Sequence, residues 1–132
     1  MALNRVPIFP NTVREYTAAA TTADTSLTAP AAAATVYTNS SGAAAKCTKL
    51  RAKAQGNTTA SMLRIFLHDG TNYHLWREVL TSSITAGATT KSWEWEESVD
   101  IDLPNGWGIR ATTHNGDDIN VFASIGEYLY TA

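Results

Sequence analysis

Apolar residues fall at every second position through Leu63-Arg64-Ile65-Phe66-Leu67-His68, and a second run rich in β-formers, Tyr73-His74-Leu75-Trp76, follows an Asp69-Gly70 step. A period of two marks a strand with one dry face, and Asp-Gly between two such runs marks a tight hairpin. A weaker echo places Ile109, Ala111, Ile119, Val121 and Ala123 around His114-Asn115-Gly116 and predicts a second hairpin. The same cadence predicts strands over 13–18, 34–37, 47–54, 61–68, 73–80, 91–103, 108–114, 119–124 and 127–130, parted by Gly, Asn, Pro and Thr turns. No stretch carries the apolar spacing of an amphipathic helix. The pattern therefore predicts an all-β chain of eight or nine short strands that closes as a sandwich, a jelly roll or a small barrel, the favoured form being a two-sheet β-sandwich, a jelly roll of about eight strands.

The two ends of the pattern differ. Residues 1–12 hold Val6, Ile8 and Phe9 interleaved with Pro7 and Pro10. Proline lacks a ladder donor and favours extended backbone, so this stretch is expected to form an extended N-terminal arm, with 13–132 as a single sandwich domain. Such an arm either folds back on its own domain or lies on a neighbour.

Register follows from the first hairpin. With His68 opposite Asn72, the residues Leu63, Ile65, Leu67, Tyr73, Leu75 and Val79 would share the core face, leaving Arg64, Phe66, His68, His74, Trp76 and Glu78 outside. The second hairpin would leave Arg110, His114, Asn120 and Phe122 outside. Aromatic side chains on nominally wet faces imply a second buried surface, and Phe66, Trp76 and Phe122 are the candidates for subunit packing.

Composition narrows the function classes. The chain has 132 residues, 44% hydrophobic and 17% charged, with a formal net charge of −2. A balance this close to neutral lacks the clustered basic face of a nucleic-acid binder. The nearest basic run is Lys46, Lys49, Arg51 and Lys53, of which the last three alternate with Leu50, Ala52 and Ala54 as on the wet side of a strand. The lone cysteine, Cys47, allows no intrachain disulfide and is expected to be a small buried side chain. The opening MALNRVPIFP has no apolar core of a secretory leader's length, and no segment nears the ~20 apolar residues of a membrane-spanning helix.

Candidate chemistry is thin. His68, His74 and Asp69 superficially fit a two-histidine, one-carboxylate metal site, but a six-residue spacing across a turn is no ligand signature. Glu94, Glu96, Glu97, Asp100 and Asp102 flank Trp93 and Trp95, a mixture that evokes a glycosidase. Strict alternation, however, sends the tryptophans to one face and Glu94 and Glu96 to the other. No nucleophile elbow or phosphate loop is present, and Trp107 is expected to plug a core end or an interface. The residues thus call for no catalytic site, metal or cofactor.

Two segments, TKLRAKAQGNTTASMLRIFLHDGTNYHLWREV at 48–79 and LPNGWGIRATTHNGDDINVFASIGEYL at 103–129, resemble tailed-bacteriophage structural proteins, in particular capsid decoration (cement) proteins of jelly-roll type. The resemblance covers about half the chain, in strand-and-turn patterns. It implies a non-enzymatic virion protein, made in the host cytoplasm, that binds the outer surface of a phage capsid and clamps adjacent subunits. The implied partners are the major capsid protein and further copies of the chain, as a trimer by preference or a dimer. Val6, Ile8 and Phe9 would then be arm contacts with the capsid. A rival reading is a phage tail or baseplate sandwich that binds host glycan through Trp76, Trp93 or Trp95.

Overall fold

In the computed structural model, which describes residue 10 and residues 12–128, the alternating runs become eight strands. They are β1 (Thr12–Ala20), β2 (Ala34–Thr38), β3 (Ala45–Ala54), β4 (Ser61–His68), β5 (Tyr73–Thr81), β6 (Glu94–Leu103), β7 (Gly108–Thr113) and β8 (Ile119–Glu127). No helix occurs among the described residues. β8 runs unbroken to Glu127, and residues 129 and 130 of the strand expected over 127–130 lie outside the described residues.

The strands divide into two antiparallel sheets, ordered β1-β8-β3-β6 and β2-β7-β4-β5. First pairs with last, β2 with β7, β3 with β6 and β4 with β5. This is one long hairpin rolled up over two sheets, a winding of the jelly-roll kind. Only β4 and β5 are hydrogen-bonded neighbours in both sequence and space. The second predicted hairpin is therefore corrected: β7 and β8 lie in different sheets, and His114-Asn115-Gly116 carries the chain from one to the other. Gly116 takes a φ of 85° there, a conformation cheap only without a Cβ. Sequence periodicity cannot tell such a crossover from a hairpin, since both need two strands and a turn.

The core lies between the sheets. Leu50, Leu63, Ile65, Leu103, Ile109, Ile119, Val121 and Ile125 are essentially inaccessible, and each large aliphatic side chain so buried stabilises the fold by about 1.5–3 kcal/mol. The inward set expected for Ile109, Ala111, Ile119, Val121 and Ala123 is correct at every position. Cys47 is fully buried as expected, and desolvation pushes its thiol up to about 11.

The first hairpin differs from its predicted register by one residue. His68 pairs with Tyr73, closing a four-residue turn in which Asp69 N–H donates to the Asn72 carbonyl. Tyr73 and Leu75 consequently share the outer face with His68 and Phe66, and His74 shares the inner face with Leu67. The ladder then slips between Ile65 and Phe66, where β5 holds Trp76 as an extra residue. That bulge restores Val79 to the core side opposite Leu63. Two compensating shifts explain why the expected pattern was right at one end of β5 and inverted at the other.

Candidate functional site

The outer face of the first sheet is built by β3 and β6. Between Cys47 and Lys49 the β3–β8 register slips by one, so Lys46 joins Lys49, Arg51 and Lys53 on the wet side. Opposite them, Glu94, Glu96, Asp100 and Asp102 are exposed, while Trp95, Val99, Ile101 and Leu103 point inward. Cations and carboxylates pair row by row. Lys46 Nζ lies 2.8 Å from Asp100 and 3.5 Å from Asp102, Lys49 meets Glu96, and Lys53 lies 3.3 Å from Glu94. Arg51 Nη2 reaches across to Glu15 of β1 at 2.7 Å. The three lysines of the basic run are thus partnered by the acidic run and Arg51 by Glu15, so the basic run is not a free patch for nucleic acid or an acidic ligand. Lysine bonds with Lys91 and Lys53 hold the Glu94 carboxyl below its usual range.

Phe122 stands half-buried on this face, with the Arg51 guanidinium 5.3 Å from its ring centroid. Together with Lys53, Glu94 and Glu96 they rim a shallow depression of about 430 Å³. Its carboxylates are engaged by lysines, so no pair converges on an empty cleft as glycoside hydrolysis requires.

The outer face of the second sheet holds an arrangement that alternation did not reveal. Arg64 is only 7% exposed. Its Nε donates to Glu78 at 2.9 Å, and its Nη1 donates to His114 Nδ1 at 2.9 Å. Because arginine can only donate, His114 accepts here through an unprotonated Nδ1. The chain itself closes part of this face: Ala23 bridges to Thr113, Asp24 N–H donates to the Thr113 carbonyl, and the Arg64 charge reaches Asp24. Backbone bonds from Ala32 and Ser26, before that charge, hold the Asp24 carboxyl low. Phe66, expected on an exposed outer surface, is completely buried within the single chain and meets Tyr73 edge-on at 5.9 Å. The second buried surface implied by the aromatics is, at Phe66, supplied by the chain's own packing.

At the hairpin tip, Asp69 accepts from Thr71 N–H, Asn72 N–H and His74 Nε2 at 2.7–2.9 Å. These bonds, the one from Asn72 foremost, hold its carboxyl well below the ordinary range. His74 also stacks on Trp107 at 5.9 Å and 16°. His68 lies on the opposite face and packs on Tyr73 at 4.5 Å. The two histidines therefore do not converge, and no group of three metal-ligating side chains occurs among the described residues.

All four tryptophans pack against the core. Trp93 is buried, and Trp76, Trp95 and Trp107 are partly buried. Trp95 also lines the depression beside Phe122. Trp76 sits at the β5 bulge under the Arg77 guanidinium, 4.6 Å from its ring centroid. Val6, Ile8 and Phe9 lie outside the described residues. Pro10, which is described, packs over Gly126 so closely that a Cβ there would meet Pro10 Cβ at 2.9 Å.

No protein-family model matches the chain, and no curated protein matches it. Among solved structures it is similar to a pentameric capsid protein isolated from metagenomic phage sequences. That likeness has 13% identity over 90% of this chain and 74% of the other, with a TM-score of 0.42. A second such pentameric capsid protein has 14% identity over 88% and 68% of the two chains, at 0.39. The catalytic domain of a GH87 α-1,3-glucanase has 15% identity over 95% of this chain and 30% of that one, at 0.40. Likenesses of this degree carry no argument about what this chain does.

Proposed function

We propose that this chain is a structural virion protein that binds the outer surface of a phage capsid and stabilises contacts between capsid subunits, performing no chemical step. One observation carries the reading. The two segments that resemble capsid decoration proteins, far apart in sequence, supply β3, β4, β5, β7 and β8. These place β8 beside β3 in one sheet and β7 beside β4 in the other, so the resemblance spans the interlocked centre of the sandwich and not an isolated hairpin.

The surface chemistry supports the same reading. Charges on the first sheet are paired among themselves, polar clusters are engaged internally, and the carboxylates face no common cleft. A clamp needs broad, preformed faces repeated in many copies, each adding a modest contact area. The proposed partners are the major capsid protein and further copies of this chain, with Val6, Ile8 and Phe9 as arm contacts and Trp76 and Phe122 as packing residues.

Immunogold electron microscopy on virions of the phage that encodes the chain tests this directly. Label spread over the head supports the proposal. Label confined to the tail overturns it in favour of a tail or baseplate role.

A further inference from the structure

Each sheet of a sandwich ends in strands with unpaired backbone groups, and natural proteins guard them with short strands, bulges or charges turned toward the core. Three of the four edges here are guarded. β2 has five residues and slips register between Thr35 and Tyr37. β5 is bent by the extra Trp76 and carries Arg77 opposite the core residue Ile65. β6 slips where it passes Cys47–Lys49 and carries Glu97 opposite the core residue Leu50.

β1 is different. Its nine residues pair one to one with β8, from Thr12 opposite Glu127 to Ala20 opposite Ile119, with no slip. Among the described residues no strand pairs with its other side. It presents an uninterrupted row of donors and acceptors, and Val13 beside it is 71% exposed.

We propose that the free edge of β1 is an interface between two copies of this chain, paired antiparallel about a two-fold axis at Tyr16. The first sheet would then continue across the pair. A two-fold contact must be self-complementary, and the strand is: its first half is bulky, Val13-Arg14-Glu15, and its last three residues are Ala18-Ala19-Ala20. With Tyr16 on the axis, Val13 lies opposite Ala19 of the second copy, Arg14 opposite Ala18 and Glu15 opposite Thr17. Each long side chain off the axis meets a short one on the same face, while Tyr16, which meets its own copy on the axis, packs on Tyr37 of its own chain. No like charges oppose, and Glu15 already has Arg51 as its counter-ion within its own chain, so pairing strands no carboxylate. This inference needs no capsid and stands or falls apart from the virion reading.

Sedimentation equilibrium of the full chain across a wide concentration range tests it. The wild type is expected to dimerise reversibly, with β1 amides gaining hydrogen-exchange protection as concentration rises. In V13E/A19E each introduced carboxylate faces another across the axis, and the dimer should be lost while circular dichroism and the thermal melt stay those of a folded monomer. V13K/A19E places opposite charges in register and should restore it. A wild type that stays monomeric throughout, or a dimer that survives V13E/A19E, would overturn the proposal.

Discussion

Arg77 of β5 and Glu97 of β6 meet across the open side of the sandwich, Nη2 to Oε1 at 3.1 Å, and so join the last strands of the two sheets. Glu97 Oε2 is buried without a partner of its own, and Arg77 covers the Trp76 ring. The pair works as a gate: it seals the core and keeps two strand edges unattractive to other strands.

Replacing Arg77 with Ala should destabilise the fold by about 1 kcal/mol, because Glu97, two-thirds buried, would lose its counter-ion. Replacing both residues by Val should cost less than that in urea unfolding while increasing aggregation on heating, since the edge guard is gone. A double variant that stays soluble through the melt would refute the guard role.

Arg64 holds a buried charge between Glu78 and His114. Glu78→Ala removes its ion-paired carboxylate, leaving the His114 ring and the more distant Asp24, and should cost roughly 2 kcal/mol. Once Arg64 is already methionine, the same change should cost much less. Equal costs in both backgrounds, measured by urea titration, would mean that the two side chains are not coupled.

Cys47 Sγ is fully buried, 3.5 Å from the Lys49 carbonyl, and its thiol is pushed up to about 11. A thiol that is neither accessible nor ionised should resist alkylation at neutral pH in the folded chain and react fully in denaturant. Rapid labelling of the native chain would contradict this burial.

Asp69 is held below its ordinary value by Asn72 N–H, His74 and Thr71 N–H. A depressed carboxylate stabilises the fold above its unfolded-state value, about 3.9, and that contribution disappears as pH falls through the folded-state value. Asp69→Asn should therefore lower the melting temperature at neutral pH, and its deficit should shrink as pH drops below about 4. A deficit that is constant with pH would assign the effect to turn geometry alone.

Removing residues 1–9 leaves Pro10 over Gly126 and β1 intact from Thr12. If the proposed arm contacts at Val6, Ile8 and Phe9 are made, the shortened chain should melt like the full one yet fail to co-sediment with phage heads lacking the protein. Undiminished co-sedimentation would sink the arm's role.

Gly108 shows where tolerance ends: a Cβ there would lie 2.3 Å from the Tyr37 carbonyl oxygen. That backbone belongs to the paired strand β2 and cannot move aside, so Gly108→Ala should cost about 1–3 kcal/mol.

Alternation of side chains by itself determined the all-β class, strand positions to within a few residues, and the buried set at Leu63, Ile65, Ile109, Ile119 and Val121. These are legible because a strand sends neighbours to opposite faces whatever it pairs with. The burial of Cys47 and the wet lysines of β3 followed from the same rule. Three things were decided only by the tertiary structure. Which strands pair is one, since His114-Asn115-Gly116 serves a crossover where the sequence reads as a hairpin. Local register is another: one extra residue at Trp76 or Thr48 moves side chains between faces, and a bulge has no signature in apolar spacing. The third is the partnership of distant charges, Lys46 with Asp100, Arg77 with Glu97 and Arg64 with Glu78, because a charge in a strand looks solvated until the fold brings its counter-ion beside it.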